Sequence, residues 1–212
     1  MVFERYPFEK LNDLLADIQP NKEYELAALT IGEPKFETPD FIQEELKQST
    51  SLLKKYPASA GIPELKDAMI NFVNKRFNVS LEMNQIIPTF GTREVLFNFP
   101  QFALFDTENP TIAFTNPFYQ IYEGAAIASR AEVIHINLTK ENNFKAYLSE
   151  EELEKCDLVI LNFPNNPTSA KMTRVELGEW VEKALQYDFI LINDECYSEI
   201  YFDDNDKPAS LL

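Results

Sequence analysis

The stretches Asn162-Phe163-Pro164-Asn165-Asn166-Pro167-Thr168 and Ile192-Asn193-Asp194-Glu195-Cys196-Tyr197 each follow a short apolar run, residues 158–161 and 189–192. A short apolar run that stops at Asn, Pro or Asp reads as a buried strand ending in a polar turn. The same pattern extends upstream. Residues 85–90, 111–115 and 132–136 read as strands, with helical spacing over residues 92–105, 119–128 and 173–186 between them. Ser149 with Glu152, and Thr173 with Glu176, have the spacing of a capping box, in which hydroxyl and carboxylate satisfy each other's backbone donors. Repeated alternation of strand and helix predicts an α/β fold, a mostly parallel sheet with helices on both faces. Such a sheet gathers ligands at the carboxyl ends of its strands, where both opening stretches lie.

The first part of the chain reads differently. Phe8, Leu11, Leu14, Leu15 and Ile18 keep helical spacing over residues 7–18. Residues 26–31 read as extended and lead into Gly32-Glu33-Pro34. Thr38 is expected to cap a helix with Pro39 at its first position, where a missing N–H costs nothing. A further helix carries Leu65, Ala68, Met69, Phe72 and Val73 in one stripe. The boundary between this small N-terminal part and the sheet falls within residues 47–61.

At 212 residues and 45% apolar content the chain can bury a full core. A net charge of −16 argues against nucleic acid as a partner, because nothing would neutralise a run of phosphates. No stretch approaches the roughly 20 apolar residues that span a bilayer, and the N-terminus lacks the pattern of a secretory leader. Cys156 and Cys196 form no paired motif, which favours a reducing cytoplasm over a disulfide framework or a zinc site.

The chemistry of the strand ends is specific. Asp194 brings a carboxylate, Tyr197 a phenol and Asn166 an amide. Together they suit a heteroaromatic ring with a basic nitrogen and a phenolic oxygen, such as pyridoxal 5'-phosphate. A carboxylate against the ring nitrogen keeps it protonated, and a protonated ring is an electron sink. Asn-Pro is also an ordinary turn dipeptide, and Asp194 alone could equally be a surface acid. Gly91-Thr92-Arg93, between a strand and a helix, offers free backbone N–H groups and a positive helix end to a phosphate. Tight placement of the Asn-Pro loop favours a cis proline, with Pro167 the first candidate and Pro164 the second.

These segments resemble the fold-type I pyridoxal-phosphate aminotransferases of the aspartate aminotransferase class. The motifs run in family order: Gly32-Glu33-Pro34 with Thr38-Pro39, residues 56–65, Gly91-Thr92-Arg93, Pro117-Phe118-Tyr119, Asn166-Pro167-Thr168 and Asp194-Glu195-Cys196-Tyr197. Within the class, residues 91–97, 117–126 and 194–202 are most similar to succinyldiaminopimelate aminotransferases of lysine and diaminopimelate synthesis. The resemblance implies a cytoplasmic homodimer that exchanges an amino group between glutamate and a keto acid, N-succinyl-diaminopimelate being the substrate expected. It implies that Asp194 pairs with the ring nitrogen and that Asn166 and Tyr197 donate to the phenolic oxygen. Tyr119 stacks on the ring, with Phe118 the alternative. Gly91, Thr92 and Arg93 form part of the phosphate cup, although Arg93 could point to substrate or solvent instead. Tyr56 reaches the phosphate of a second copy, and Gly32 offers its N–H to the substrate carboxylate. His135, on a strand away from these motifs, reads as structural, and Cys196 as a packing residue.

The chain departs from the family in two places. Ser169 stands where the family has Gly after Asn-Pro-Thr. The family's Schiff-base lysine and two arginines, for phosphate and substrate carboxylate, lie beyond the Asp-x-x-Tyr motif and have no counterpart in residues 195–212; Lys207 lies too near Asp194 to serve. The expectation is therefore an N-terminal half: residues 1–50 as the N-terminal part of a small domain with a connecting helix, and residues 51–212 as a cofactor-binding large domain incomplete at its C-terminal end. Such a half would be inactive alone and would need a companion C-terminal chain. The alternatives are a non-catalytic module and a β-lyase of the same fold.

Overall fold

A computed structural model of the chain describes residues 5–25, 27, 32 and 36–212. Two units emerge, residues 4–59 and residues 60–212.

In the first unit, α1 (Pro7–Leu15) and α2 (Asp40–Ser49) are followed by a 3-10 turn at Thr50–Lys54. The first helix is shorter than the apolar spacing suggests; Pro7 sits in its first turn, and Arg5 pairs with Asp13 at 2.6 Å. α2 begins one residue later than expected. Pro39 occupies the cap position itself, and Thr38 contributes its carbonyl, which accepts from Gln43 Nε2 at 2.7 Å, rather than its hydroxyl. The extended piece expected at residues 26–31 lies, apart from Ala27, outside the described residues, as do Glu33 and Pro34. No described side chain of this unit is buried.

The second unit carries the sheet. After α3 (Pro63–Phe77) and α4 (Thr92–Ala103) come β1 (Thr111–Asn116), α5 (Gln120–Ala128), β2 (Glu132–Asn137), α6 (Glu150–Leu153), β3 (Leu158–Leu161), α7 (Arg174–Tyr187) and β4 (Ile190–Asn193). The strands are all parallel, in the order β2-β1-β3-β4. Every residue of β3 is 0% exposed, which only a sheet covered on both faces allows.

Strand alternation assigns the faces. Ile112, Phe114, Leu158 and Ile160 pack with Leu96 of α4 and with Tyr122 and Ala126 of α5. Ala113, Ile136, Val159 and Leu161 pack with Leu153 of α6 and with Leu177 and Trp180 of α7. Both capping boxes form, Ser149 with Glu152 and Thr173 with Glu176. The Lys145 ammonium and the Thr173 amide hold the Glu176 carboxyl down to about 2.

Residues 85–90 do not form the expected strand. A 3-10 turn covers Met83–Gln85, and the residues after it are unpaired. β1 already has β2 on one side and β3 on the other, and Pro88 lacks the N–H that a ladder requires. Ile87 and Phe90 are accordingly exposed.

Candidate active site

The carboxyl ends of β3 and β4 are stitched together by two asparagines. Asn162, buried at the end of β3, donates from Nδ2 to the Asp194 carbonyl at 2.9 Å. Its Oδ1 accepts from the Asn166 N–H at 3.1 Å. Asn193 makes a reciprocal pair with Phe163, accepting from its N–H at 3.0 Å and donating to its carbonyl at 3.2 Å. Asn193 also donates to Glu195 Oε1, which accepts from the Leu211 N–H at 2.9 Å. Two loops rich in polar backbone are thus held by side chains where the ladder stops. Removing the Asn162 amide, as in Asn162→Ala, leaves a buried carbonyl and N–H without partners. Chemical denaturation is expected to show a loss of about 1–3 kcal/mol.

Asp194 is 6% exposed. Its Oδ2 accepts from the Tyr122 hydroxyl at 2.7 Å, and its Oδ1 is buried with no partner. A buried carboxylate oxygen without a donor is costly, and in a native fold it asks for a ligand that supplies one. Thr115 Oγ1 and Asn165 Nδ2 are also buried without partners, so unpartnered polar atoms recur at the ends of β1, β3 and β4. Beside Asp194, Asn166 Nδ2 donates to the Tyr197 hydroxyl at 3.3 Å. Burial pushes the Tyr197 phenol above its ordinary value, so its proton stays available for donation.

The end of β1 supplies the aromatic side. Tyr119 is the residue before α5, with its ring edge-on to Tyr122 at 6.0 Å. Arg93 donates from Nε to the Tyr119 hydroxyl, and its guanidinium lies 5.6 Å from that ring's centre. This contact brings the first turn of α4 to the carboxyl end of the sheet. Gly91 precedes that turn at φ 87° and ψ 163°. A Cβ there would meet nothing within 4 Å, so the backbone conformation, and not space, calls for glycine. Gly91, Thr92 and Arg93 are exposed.

Phe118 faces elsewhere. It stacks on His135 with centres 5.6 Å apart and planes 12° apart, and meets Phe114 edge-on. His135 is therefore not remote from the motifs, because β1–β2 register sets it beside Phe114. Cys196 is exposed, not packed; partial burial and the neighbouring Asp194 push its thiol up to about 12. Lys207 pairs with Asp204 at 3.0 Å and lies over the Tyr201 ring. The peptide bonds before Pro117, Pro164 and Pro167 are all cis. Ser169 adopts φ 59°, a left-handed conformation that glycine takes at no steric cost. Tyr56 and Gly32 belong to the unit of residues 4–59; both are exposed, Tyr56 at 96%.

Three contributors escaped the sequence reading. Tyr122 follows Tyr119 by three residues, one helical turn, so its spacing was a usable signal. Asn162 and Asn193 end apolar runs, which is consistent with many roles. A hollow of about 670 Å³ lies instead at the amino ends of the strands, lined by Leu104, Phe105, Pro110, Ser129 and Arg130. None of the groups above borders it, so the chemistry of the strand ends, not cavity size, locates the candidate site. Among the described residues no cluster of His, Cys, Asp and Glu is placed to hold a metal, and no helix is long and apolar enough to cross a membrane.

Comparison with known proteins points the same way. The family model for aminotransferase class I and II matches residues 24–211. An LL-diaminopimelate aminotransferase of Maridesulfovibrio salexigens is 31% identical over 98% of this chain and 54% of its own length. An aromatic-amino-acid aminotransferase of Thermococcus litoralis is 31% identical over 92% of the chain and 49% of its own. The crystal structure of aminotransferase AspB from Helicobacter pylori matches with a TM-score of 0.94 and 55% identity, over 100% of this chain and 55% of that one. An aminotransferase structure from Neisseria meningitidis matches with a TM-score of 0.88 and 37% identity, over 98% of this chain and 54% of its own. The chain thus spans about half the length of the relatives it matches.

Proposed function

The chain belongs to the class I and II aminotransferases, and we propose that it supplies the cofactor-holding part of a site that moves an amino group between glutamate and a keto acid. The family's cofactor is pyridoxal 5'-phosphate, which supplies an electron sink for bond breaking at the substrate α-carbon. The observation that carries the reading is the buried Asp194, with Oδ2 held by Tyr122 and Oδ1 without a partner. The residues fit the group. Asp194 is the acceptor for a protonated ring nitrogen, and Asn166 and Tyr197 are donors for a ring oxygen. Tyr119 is the stacking surface, oriented by Arg93. The Gly91 and Thr92 amides and the α4 N-terminus receive phosphate. Tyr56 reaches the phosphate of a second copy in a homodimer, and Gly32 receives the substrate carboxylate.

The diaminopimelate class of substrate is supported by the relatives' names, and the motif resemblance favours its N-succinyl form. The free cysteines suit a cytoplasmic enzyme. Coverage of about half of each relative favours a second reading beside the first: this part works with a companion segment that carries the family's lysine.

The test is glutamate-dependent turnover with N-succinyl-diaminopimelate, LL-diaminopimelate, aspartate and phenylalanine as competing amino donors. It is run on residues 1–212 alone and after addition of the later segment of a relative as a separate chain. Residues 1–212 alone are expected to give no turnover, and the pair to give turnover fastest with the succinylated substrate. Equal rates with aspartate and none with either diaminopimelate form would sink the substrate assignment. Turnover by residues 1–212 alone would sink the companion reading.

A further inference from the structure

We infer that Tyr122 is a positioning residue that clamps Asp194 so that the proton shared with a bound pyridine-type ring stays on the ring nitrogen. The inference rests on the cofactor reading above and adds to it a residue that no motif singled out.

Tyr122 is 0% exposed and lies in the core between α5 and the sheet, edge-on to Tyr119 and near Phe114. Its hydroxyl makes one hydrogen bond, to Asp194 Oδ2 at 2.7 Å. Burial first, and the Asp194 charge second, push this phenol far above its ordinary value. It therefore remains a donor across the working pH range and does not relay a proton. The other titratable groups that bear on Asp194 are Cys196 and Tyr197, both in the loop that Asp194 opens. Both stay neutral, because burial pushes their protons on more firmly.

The geometry has two consequences. Oδ2 is occupied, so the carboxylate cannot spin, and Oδ1 is left as its free acceptor. A carboxylate that already accepts a hydrogen bond at one oxygen is also a poorer proton acceptor at the other. A proton placed between Oδ1 and a pyridine nitrogen is thereby biased toward the nitrogen. Tyr122 sits one turn after Tyr119 on the same helix, so one rigid element sets both the ring-stacking residue and the orientation of the carboxylate.

The experiment uses the 212-residue chain with pyridoxal 5'-phosphate labelled with nitrogen-15 in the ring. Affinity is measured by titration, and ring protonation by the nitrogen-15 chemical shift. Tyr122→Phe removes only the hydroxyl. Affinity is expected to fall about tenfold, the scale of one hydrogen bond to a charged group, and the nitrogen signal to move toward the unprotonated position. Tyr122→3-fluorotyrosine keeps ring and hydroxyl but makes a stronger donor, and should move the signal the opposite way. This second variant decides the matter if Tyr122→Phe does not fold. A nitrogen signal that neither variant moves, in folded protein that binds the cofactor, overturns the role of Tyr122 alone. Failure of the unaltered chain to bind the cofactor overturns the cofactor reading and this inference together.

Discussion

Asp194→Asn is expected to weaken binding of pyridoxal 5'-phosphate by about 100-fold or more. Removing one member of a buried ion pair costs about 3–5 kcal/mol, and each tenfold in affinity is about 1.4 kcal/mol. The substitution keeps the shape of the side chain and keeps an acceptor for Tyr122 at Oδ2. It removes only the charge. Stability should move the other way or not at all, since a buried carboxylate oxygen without a partner is itself a burden on the fold. The two readouts are titration with the cofactor and thermal unfolding without it. Affinity within threefold of the unaltered chain would mean that Asp194 is a structural acid. A large loss of stability would mean that its charge supports the loop and not a ligand.

Trp180→Ala is expected to destabilise the unit of residues 60–212 by about 3–5 kcal/mol, the usual cost of emptying a large aromatic site. Trp180 is 1% exposed and belongs to the cluster that joins α7 to the sheet through Val159, Leu161 and Leu177. Native domains are held by only about 5–15 kcal/mol, so a loss of this size brings the unit close to unfolding. Val175→Ala on the same helix is the control. Val175 is 72% exposed, and its truncation should cost no more than about 0.5 kcal/mol. Trp180 is the chain's one tryptophan, so the comparison is followed by circular dichroism in denaturant. Equal midpoints for both variants would show that the α7 face is not the core described here.

Much of the fold was legible because its signals are local. Short apolar runs at residues 158–161 and 189–192 became β3 and β4, nearly to the residue. The capping boxes at Ser149 and Thr173 formed because four neighbouring residues contain every group they need. The error at residues 85–90 has the opposite origin. Ile86, Ile87 and Phe90 have the composition of a strand, but a strand needs a partner edge, and composition cannot report whether one is free. Phe118 and His135 likewise looked unconnected, until parallel register placed β2 beside β1.

The sequence by itself determined the family, the α/β class and which residue types stand at the strand ends, since these depend on short motifs and on periodicity along the chain. Only the tertiary structure decided which atoms meet. Asp194 and Tyr122 are separated by 72 positions, yet share a hydrogen bond. Arg93 meets Tyr119 across 26 positions, and Asn162 meets Asp194 across 32. The physical reason is that a hydrogen bond is decided within a few tenths of an ångström. A motif sets only the order in which donors and acceptors occur; strand register, helix phase and the packing of both faces of the sheet set the distance between them.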